Sequence, residues 1–259
     1  MTVYLKELAF LTMLSYVLAA ACYWPGSKKK KIARLASGLA VLGLILNSLA
    51  LYARTLLTGR LPLVNGAEFM LCFTWFTVLV YLGYEYKSKQ RSAGGIVLLI
   101  AACLTGSILI LTPHQLGDIS PLMPALKSPW LTGHVLTAVF AYGGFAVAAG
   151  LAVVQLRNPF TKREDWVARI VGGSFAMLTL TIVLGAIWAE QTWGNYWSWD
   201  PKETWALLTW IIYAIYLHLY RRESWQGRKA NLLVIGGFIL VLFTYFGVNY
   251  VLTGLHSYA

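Results

Sequence analysis

Long apolar runs constrain this chain more than any other feature. They cover about residues 5–24, 33–54, 68–86, 94–112, 130–156, 167–188, 201–220 and 231–251. A helix needs roughly 20 apolar residues to cross a bilayer, and inside lipid only a segment that satisfies its own backbone can span. Charged residues make up 12% of the chain, where a soluble domain carries about 25%. The expected fold is an all-α polytopic membrane protein of about eight transmembrane helices. It forms one domain over residues 1–259, with no soluble part long enough to fold separately.

The formal net charge of +11 invites a nucleic-acid reading, but the positions of the charges argue against it. Most of the 21 basic residues fall in four clusters. These are Lys28 to Lys31 with Arg34; Lys87, Lys89 and Arg91; Arg157, Lys162, Arg163 and Arg169; and Arg221, Arg222, Arg228 and Lys229. The clusters occupy alternate loops, which is the positive-inside pattern of cytoplasmic loops. No nucleic-acid partner follows from this charge. The first run carries Lys6 and Glu7 at its head, which cancel, so it lacks the basic start of a secretory signal and reads as a retained helix. Both termini are then expected on the outer side. Cys22, Cys72 and Cys103 lie in or beside apolar runs with no CxxC, and read as buried structural cysteines rather than a redox pair.

Two polar stretches stand out on the outer side. Residues 113–129 hold Pro113, Pro121, Pro124 and Pro129 as helix breakers, with a short interfacial helix expected over Leu122 to Leu126. Residues 193–205 hold Trp193, Trp197, Trp199 and Trp205, interrupted by Gly194, Asn195 and Pro201. Scattered tryptophans such as Trp24, Trp75, Trp166 and Trp225 fit an ordinary interfacial belt, whereas this dense cluster does not. It reads as a rigid aromatic-faced loop between the sixth and seventh helices, suited to a large flat apolar ligand such as haem. Asp200, with Pro201 and Glu203 behind it, forms a capping-box start for the seventh helix.

Histidine is scarce, and topology sorts it. His114, His134 and His256 fall on the side of the tryptophan loop. His134 lies a turn inside the fifth helix, with Trp130 one turn before it on the same face. Two neutral imidazoles on opposite faces of a haem give a six-coordinate iron, and His134 and His256 could reach one haem from two helix ends. Each also has an ordinary reading as a wet interfacial residue, and His114 is best read as a residue that ends a helix. His218 lies far along the seventh helix near the cytoplasmic boundary. An ionisable group there is a functional candidate, and no second histidine of this chain matches its depth. Lys127, Lys202, Arg54 and Arg60 are outer cations that could meet haem propionates or simply be solvated.

The pattern Trp193-Gly194-x-x-Trp197-x-Trp199-Asp200 resembles the WWD signature of the haem-handling protein superfamily. Its continuation from Pro201 to His218 is similar to the CcsA (ResC) branch. So are Pro121 to His134, with Ser128, Trp130 and His134, and the tail from Gly247-Val248-Asn249 to Leu255-His256-Ser257-Tyr258. Leu61-Pro62-Leu63 to Glu68 also resembles that branch, and the likeness is best over residues 113–259. The resemblance implies System II cytochrome c biogenesis, in which haem b is moved to the outer face and joined to the CxxCH motif of an apocytochrome c. It implies a CcsB (ResB) partner, with a thiol-reducing thioredoxin-like protein in the same process, and lyase (synthase) activity within the complex. The location implied is a bacterial inner membrane with a periplasmic active face, or a thylakoid membrane. By position, His134 and His256 would be the outer axial ligands and His218 the ligand of a second site where haem enters. Trp193, Gly194, Trp197, Trp199, Asp200 and Trp205 would form the haem platform with Trp130, and His134, His256 and Asp200 would be the catalytic set. A haem-delivery protein of the CcmC kind is the alternative; it has six helices and lacks the His218-bearing stretch.

Overall fold

Helices in this protein start and stop at the caps and breakers that punctuate its sequence. In the computed structural model, residues 2–26, 29–157 and 166–252 are described. Among them the long helices are α1 (Thr2–Gly26), α2 (Lys30–Thr58), α3 (Gly66–Ser88), α4 (Gly94–Leu111), α5 (Pro129–Arg157), α6 (Trp166–Trp193), α7 (Pro201–Tyr220) and α8 (Arg228–Leu242). Asn65 caps α3 through a full capping box with Glu68. Left-handed Gly59 (φ 67°) ends α2 and left-handed Gly194 (φ 78°) ends α6, a conformation that costs glycine little.

Seven segments are long and apolar enough to cross a membrane, α1 to α6 and the run Arg228–Val251 that begins with α8, and the chain is a multi-pass membrane protein. The exception is α7. Its 20 residues suffice for a hydrocarbon core of about 30 Å at about 1.5 Å per residue, but Lys202, Glu203 and a row of Trp and Tyr lower its hydropathy.

Two compact units divide the chain, Met1–Pro121 and Leu122–Ala259. In the first, α1 packs against α2 and α4, while α3 packs against α2 and α4. A buried ion network closes one end. Arg54 and Glu68, both fully buried, pair at 2.8 Å. The guanidinium of Arg54 also donates to the carbonyls of Leu116 and Asp118. Glu68 further accepts from Arg60 and from the Val64 and Asn65 backbone. The stretch Leu61 to Glu68 is therefore a knot that ties α2, α3 and the loop after α4.

In the second unit α5 is buried along most of its length, as expected of a helix that is apolar all round. Small residues let α6 approach it. A Cβ on Gly144 would overlap the Ser174 hydroxyl, and one on Gly133 would lie 3.3 Å from Leu184. Close backbone approach of this kind is a common basis of helix pairing in membranes. Phe145 of α5 stacks on Tyr213 of α7 at 3.6 Å between ring centroids, and Gly237 of α8 leaves room for the same tyrosine.

Three expectations need correction. The short helix expected over Leu122 to Leu126 is a single 3-10 turn, Pro124–Leu126, because Pro121 and Pro124 remove backbone donors. The last run is not one regular helix: a π turn, Phe243–Gly247, separates α8 from a final turn α9 (Val248–Val251). The three cysteines are free, but none is fully buried, and Cys103 is exposed.

Candidate functional site

The tryptophan stretch is built from three short pieces of local structure. Trp193 is the last residue of α6, and Gly194 then turns the chain, its N–H donating to the Glu190 carbonyl at 2.8 Å. Trp199 is the second special residue. It is left-handed at φ 58°, which costs a non-glycine residue about 1–2 kcal/mol. Glu203 holds this conformation from the first turn of α7. Its carboxylate accepts from the Ser198 N–H at 2.8 Å and the Asp200 N–H at 3.2 Å. Asp200 completes the capping box, accepting from the Lys202 N–H at 2.9 Å.

The result is a loop whose backbone is tied and whose rings are not all buried. Trp199 and Tyr196 are 68% and 61% exposed, and Trp130 on α5 is 38% exposed. Trp197 stands edge-on to Trp199 with centroids 5.8 Å apart. Beneath the loop, buried Trp188 donates its indole N–H to the Ala125 carbonyl at 2.9 Å and meets the Trp193 ring at 4.8 Å. Trp188 thereby ties the end of α6 to the turn that precedes α5. Trp205 lies against Phe243 of the π turn at 4.3 Å. Lys202 donates to the Asn249 side chain at 2.9 Å. These last two contacts bring the end of α8 and α9 to the start of α7.

His134 sits on the second turn of α5, facing α6. Its Nδ1 is 2.8 Å from the carbonyl oxygen of Thr181. A carbonyl can only accept, so Nδ1 carries a proton and donates it. The ring lies over Gly185, where an added Cβ would come 2.6 Å from Nδ1. The Thr137 and Thr181 hydroxyls meet 3.0 Å apart across the same helix pair. This combination suits an axial ligand of a haem iron, because one ring nitrogen is anchored and the ring plane is fixed.

The remaining candidates are placed as follows. His256 lies outside the described residues. His218 is exposed on α7, on the same side as exposed Leu208, Ile211 and Ile215. His114 is exposed in the loop after α4. Lys127 is exposed, whereas Lys202 is engaged with Asn249. Arg54 is fully buried and occupied by Glu68 and two carbonyls, which removes it as a propionate partner. Gly194 serves as a helix cap. Among the described residues no group of three or more His, Cys, Asp or Glu converges as a metal site.

Four residues that complete the site escape a reading of sequence alone. Glu203 was legible as half of a capping box but not as the clamp on Ser198. Gly185, Thr181 and Trp188 lie in an apolar run, and only the pairing of α5 with α6 gives them meaning.

Comparison with known proteins places this geometry in context. The chain matches the family described as cytochrome C assembly protein over residues 61–256. It is 31% identical to the cytochrome c biogenesis protein CcsA of Guillardia theta, covering 96% of this chain and 94% of that one. CcsA of Porphyra purpurea is 33% identical, covering 93% and 92%, and CcsA of Microcystis aeruginosa is 31% identical, covering 96% and 93%. Among solved structures, the cytochrome c heme lyase CcmF superposes with a TM-score of 0.76 at 17% identity. The match covers 95% of this chain but only 47% of CcmF, and it is a likeness of fold.

Proposed function

The chain belongs to the cytochrome c assembly family, and from that premise we propose that it presents haem on the tryptophan-loop side of the membrane for covalent attachment to apocytochrome c. Its role is in cytochrome c biogenesis. The observation that carries the finer reading is the imidazole of His134 anchored against α6, the helix that leads into a tied loop with exposed indoles. An Nδ1–H held by the Thr181 carbonyl fixes the ring plane, and Nε2 is the proposed ligand atom. Trp199, Trp197 and Trp130 offer flat apolar faces of the kind a porphyrin covers. His256 is the proposed second axial ligand.

Thioether formation adds a cysteine S–H across a haem vinyl group: C–S and C–H bonds form as the S–H bond and the C=C π bond break, with no net redox change. The chain's own task is then positional. It holds the haem edge where the two CxxCH thiols can reach it, and reactions of held partners gain from effective concentration alone. No nucleophile–base pair is assigned, and Asp200 acts by shaping the loop. The exposed face of α7 around His218 fits a second site completed by a CcsB-like subunit. The family match spans both compact units, in keeping with one functional domain. An outer position for the tryptophan loop is proposed from the basic clusters, and a bacterial inner or thylakoid membrane from the likeness to CcsA.

The test is co-expression with a CcsB-like partner and a CxxCH reporter, scoring covalent haem. His134→Gly is expected to abolish the holocytochrome, with partial recovery on adding imidazole. A parental yield from His134→Gly would reject the ligand role. Haem that stays bound while thioethers never form, even in the parent complex, would favour the delivery reading instead.

A further inference from the structure

A cavity of about 350 Å³ opens where α3 ends, lined by Val41, Leu82, Glu85, Tyr86, Lys89 and Arg91. We propose that it holds the headgroup of an anionic phospholipid, with an acyl chain lying along the seam between α2 and α3.

The charge inside the cavity is cationic once its ion pairs are counted. Glu85 is already satisfied: it accepts from Tyr23 at 2.6 Å, Tyr81 at 3.0 Å, Ser37, and the Arg91 Nε at 2.8 Å. That pair uses a single edge of the guanidinium, and a guanidinium has five N–H donors. Arg91 keeps 38% of its side chain exposed. Lys89 carries the second positive charge, with its ammonium 4.3 Å from the centroid of the Tyr86 ring. One carboxylate thus faces two cations, and an anion would complete the balance. Basic pockets between transmembrane helices are suited to acidic headgroups.

The apolar part of the argument is periodic. Val41 lines the cavity, and Ile45 and Ser48 follow on the same side of α2 one and two turns along. Leu82 lines it from α3, and Leu79 and Trp75 follow one and two turns back. The two helices run in opposite directions, so both rows lead from the cavity into the membrane. Ile45 and Leu79 are exposed. The Trp75 indole N–H donates to the Ser48 hydroxyl at 2.8 Å and closes the track roughly 10 Å below Val41, at about 1.5 Å per residue. A polar mouth of two cations above an apolar channel is the shape of an anionic amphiphile. A small inorganic anion would use only the mouth.

The experiment uses the full-length protein in nanodiscs of phosphatidylcholine with a minor share of phosphatidylglycerol, measuring the phosphatidylglycerol retained through detergent exchange. Lys89→Asn removes one charge at a left-handed position (φ 58°) that asparagine tolerates. It should lower retention about fivefold, the effect of one basic residue near an anionic surface. Val41→Trp should fill the cavity and lower retention with every charge kept. Lys87→Asn, the same charge change outside the cavity, should leave it unchanged. Equal loss in Lys87→Asn and Lys89→Asn would show diffuse surface attraction and overturn the proposal. So would unchanged retention in Lys89→Asn, or release of the lipid by millimolar inorganic phosphate, which would mark a simple anion site. Loss of bound haem with retention of lipid in Lys89→Asn would assign the cavity to the cargo instead and equally overturn it.

Discussion

Replacing Gly185 by alanine tests the link between helix packing and the reactive nitrogen of His134. An ideal Cβ at position 185 stands 2.6 Å from His134 Nδ1 and 2.8 Å from its Cε1, whereas real Cβ contacts essentially never fall under 3.0 Å. The imidazole is the movable partner, so the protein should fold and the ring should shift to ordinary contact at 3.4 Å or beyond. That shift breaks the 2.8 Å bond to the Thr181 carbonyl. The bond itself is worth about 1 kcal/mol net, but its orienting role is larger: losing the outer-shell partner of a ligating histidine typically costs 10–100-fold in metal affinity or activity. Helix propensity runs the other way, since alanine in place of a mid-helix glycine gains about 1 kcal/mol. Gly185→Ala is therefore expected to unfold no more easily than the parent while losing at least about tenfold in covalent haem yield. The assay is the CxxCH reporter yield alongside thermal unfolding in detergent. Gly172→Ala and Gly173→Ala serve as controls on the same helix, because nothing lies within 4 Å of a Cβ at either position. Parental yield from Gly185→Ala would refute the reasoning, as would equal losses from all three variants.

Three other perturbations follow from the geometry. Glu203→Ala removes the acceptor for the Ser198 and Asp200 N–H groups; it should cost about 1 kcal/mol as a lost cap and open residues 195–199 to limited proteolysis, with Glu203→Gln close to the parent. Arg54→Met leaves the fully buried Glu68 with the part-exposed Arg60 as its one arginine, and thermal unfolding should report a loss of about 3 kcal/mol, the low end for a broken buried pair; a shift under about 1 kcal/mol would mean that Arg60 alone suffices to balance the carboxylate. His218→Ala should lower the haem that co-purifies with the CcsB-containing complex without changing the unfolding temperature, and parental haem content would remove the second site.

The fold was legible because a bilayer leaves few solutions to a chain of apolar runs. Each run became helical, the last with a π turn inside it, and Asp200 marked the start of α7 where its capping box requires it. The misses share one cause. A hydropathy pattern reports where a segment lies, not which backbone variant it adopts, so the π turn at Phe243–Gly247 left no mark in the apolar run that contains it. The exposure of Cys103 has the same origin: an all-apolar helix does not announce which side meets its neighbours.

The site was legible to the extent that its chemistry sits in polar residues. His134 and Asp200 are rare types in an apolar chain and stood out. Their supports did not, because each is a residue whose meaning depends on a partner distant in sequence. Gly185 is one of many helical glycines until α5 places His134 over it, and Thr181 contributes only a backbone carbonyl. Arg54 erred in the opposite direction. Its charge made it a candidate for an anionic ligand, yet the Glu68 that claims it lies in the very stretch that resembles the family. A buried charge must be paired to be tolerated at all. An arginine with a glutamate one helix away is thus more economically explained by that pairing than by an external anion, and Lys127, exposed where Arg54 is buried, is the better place to look for a propionate contact.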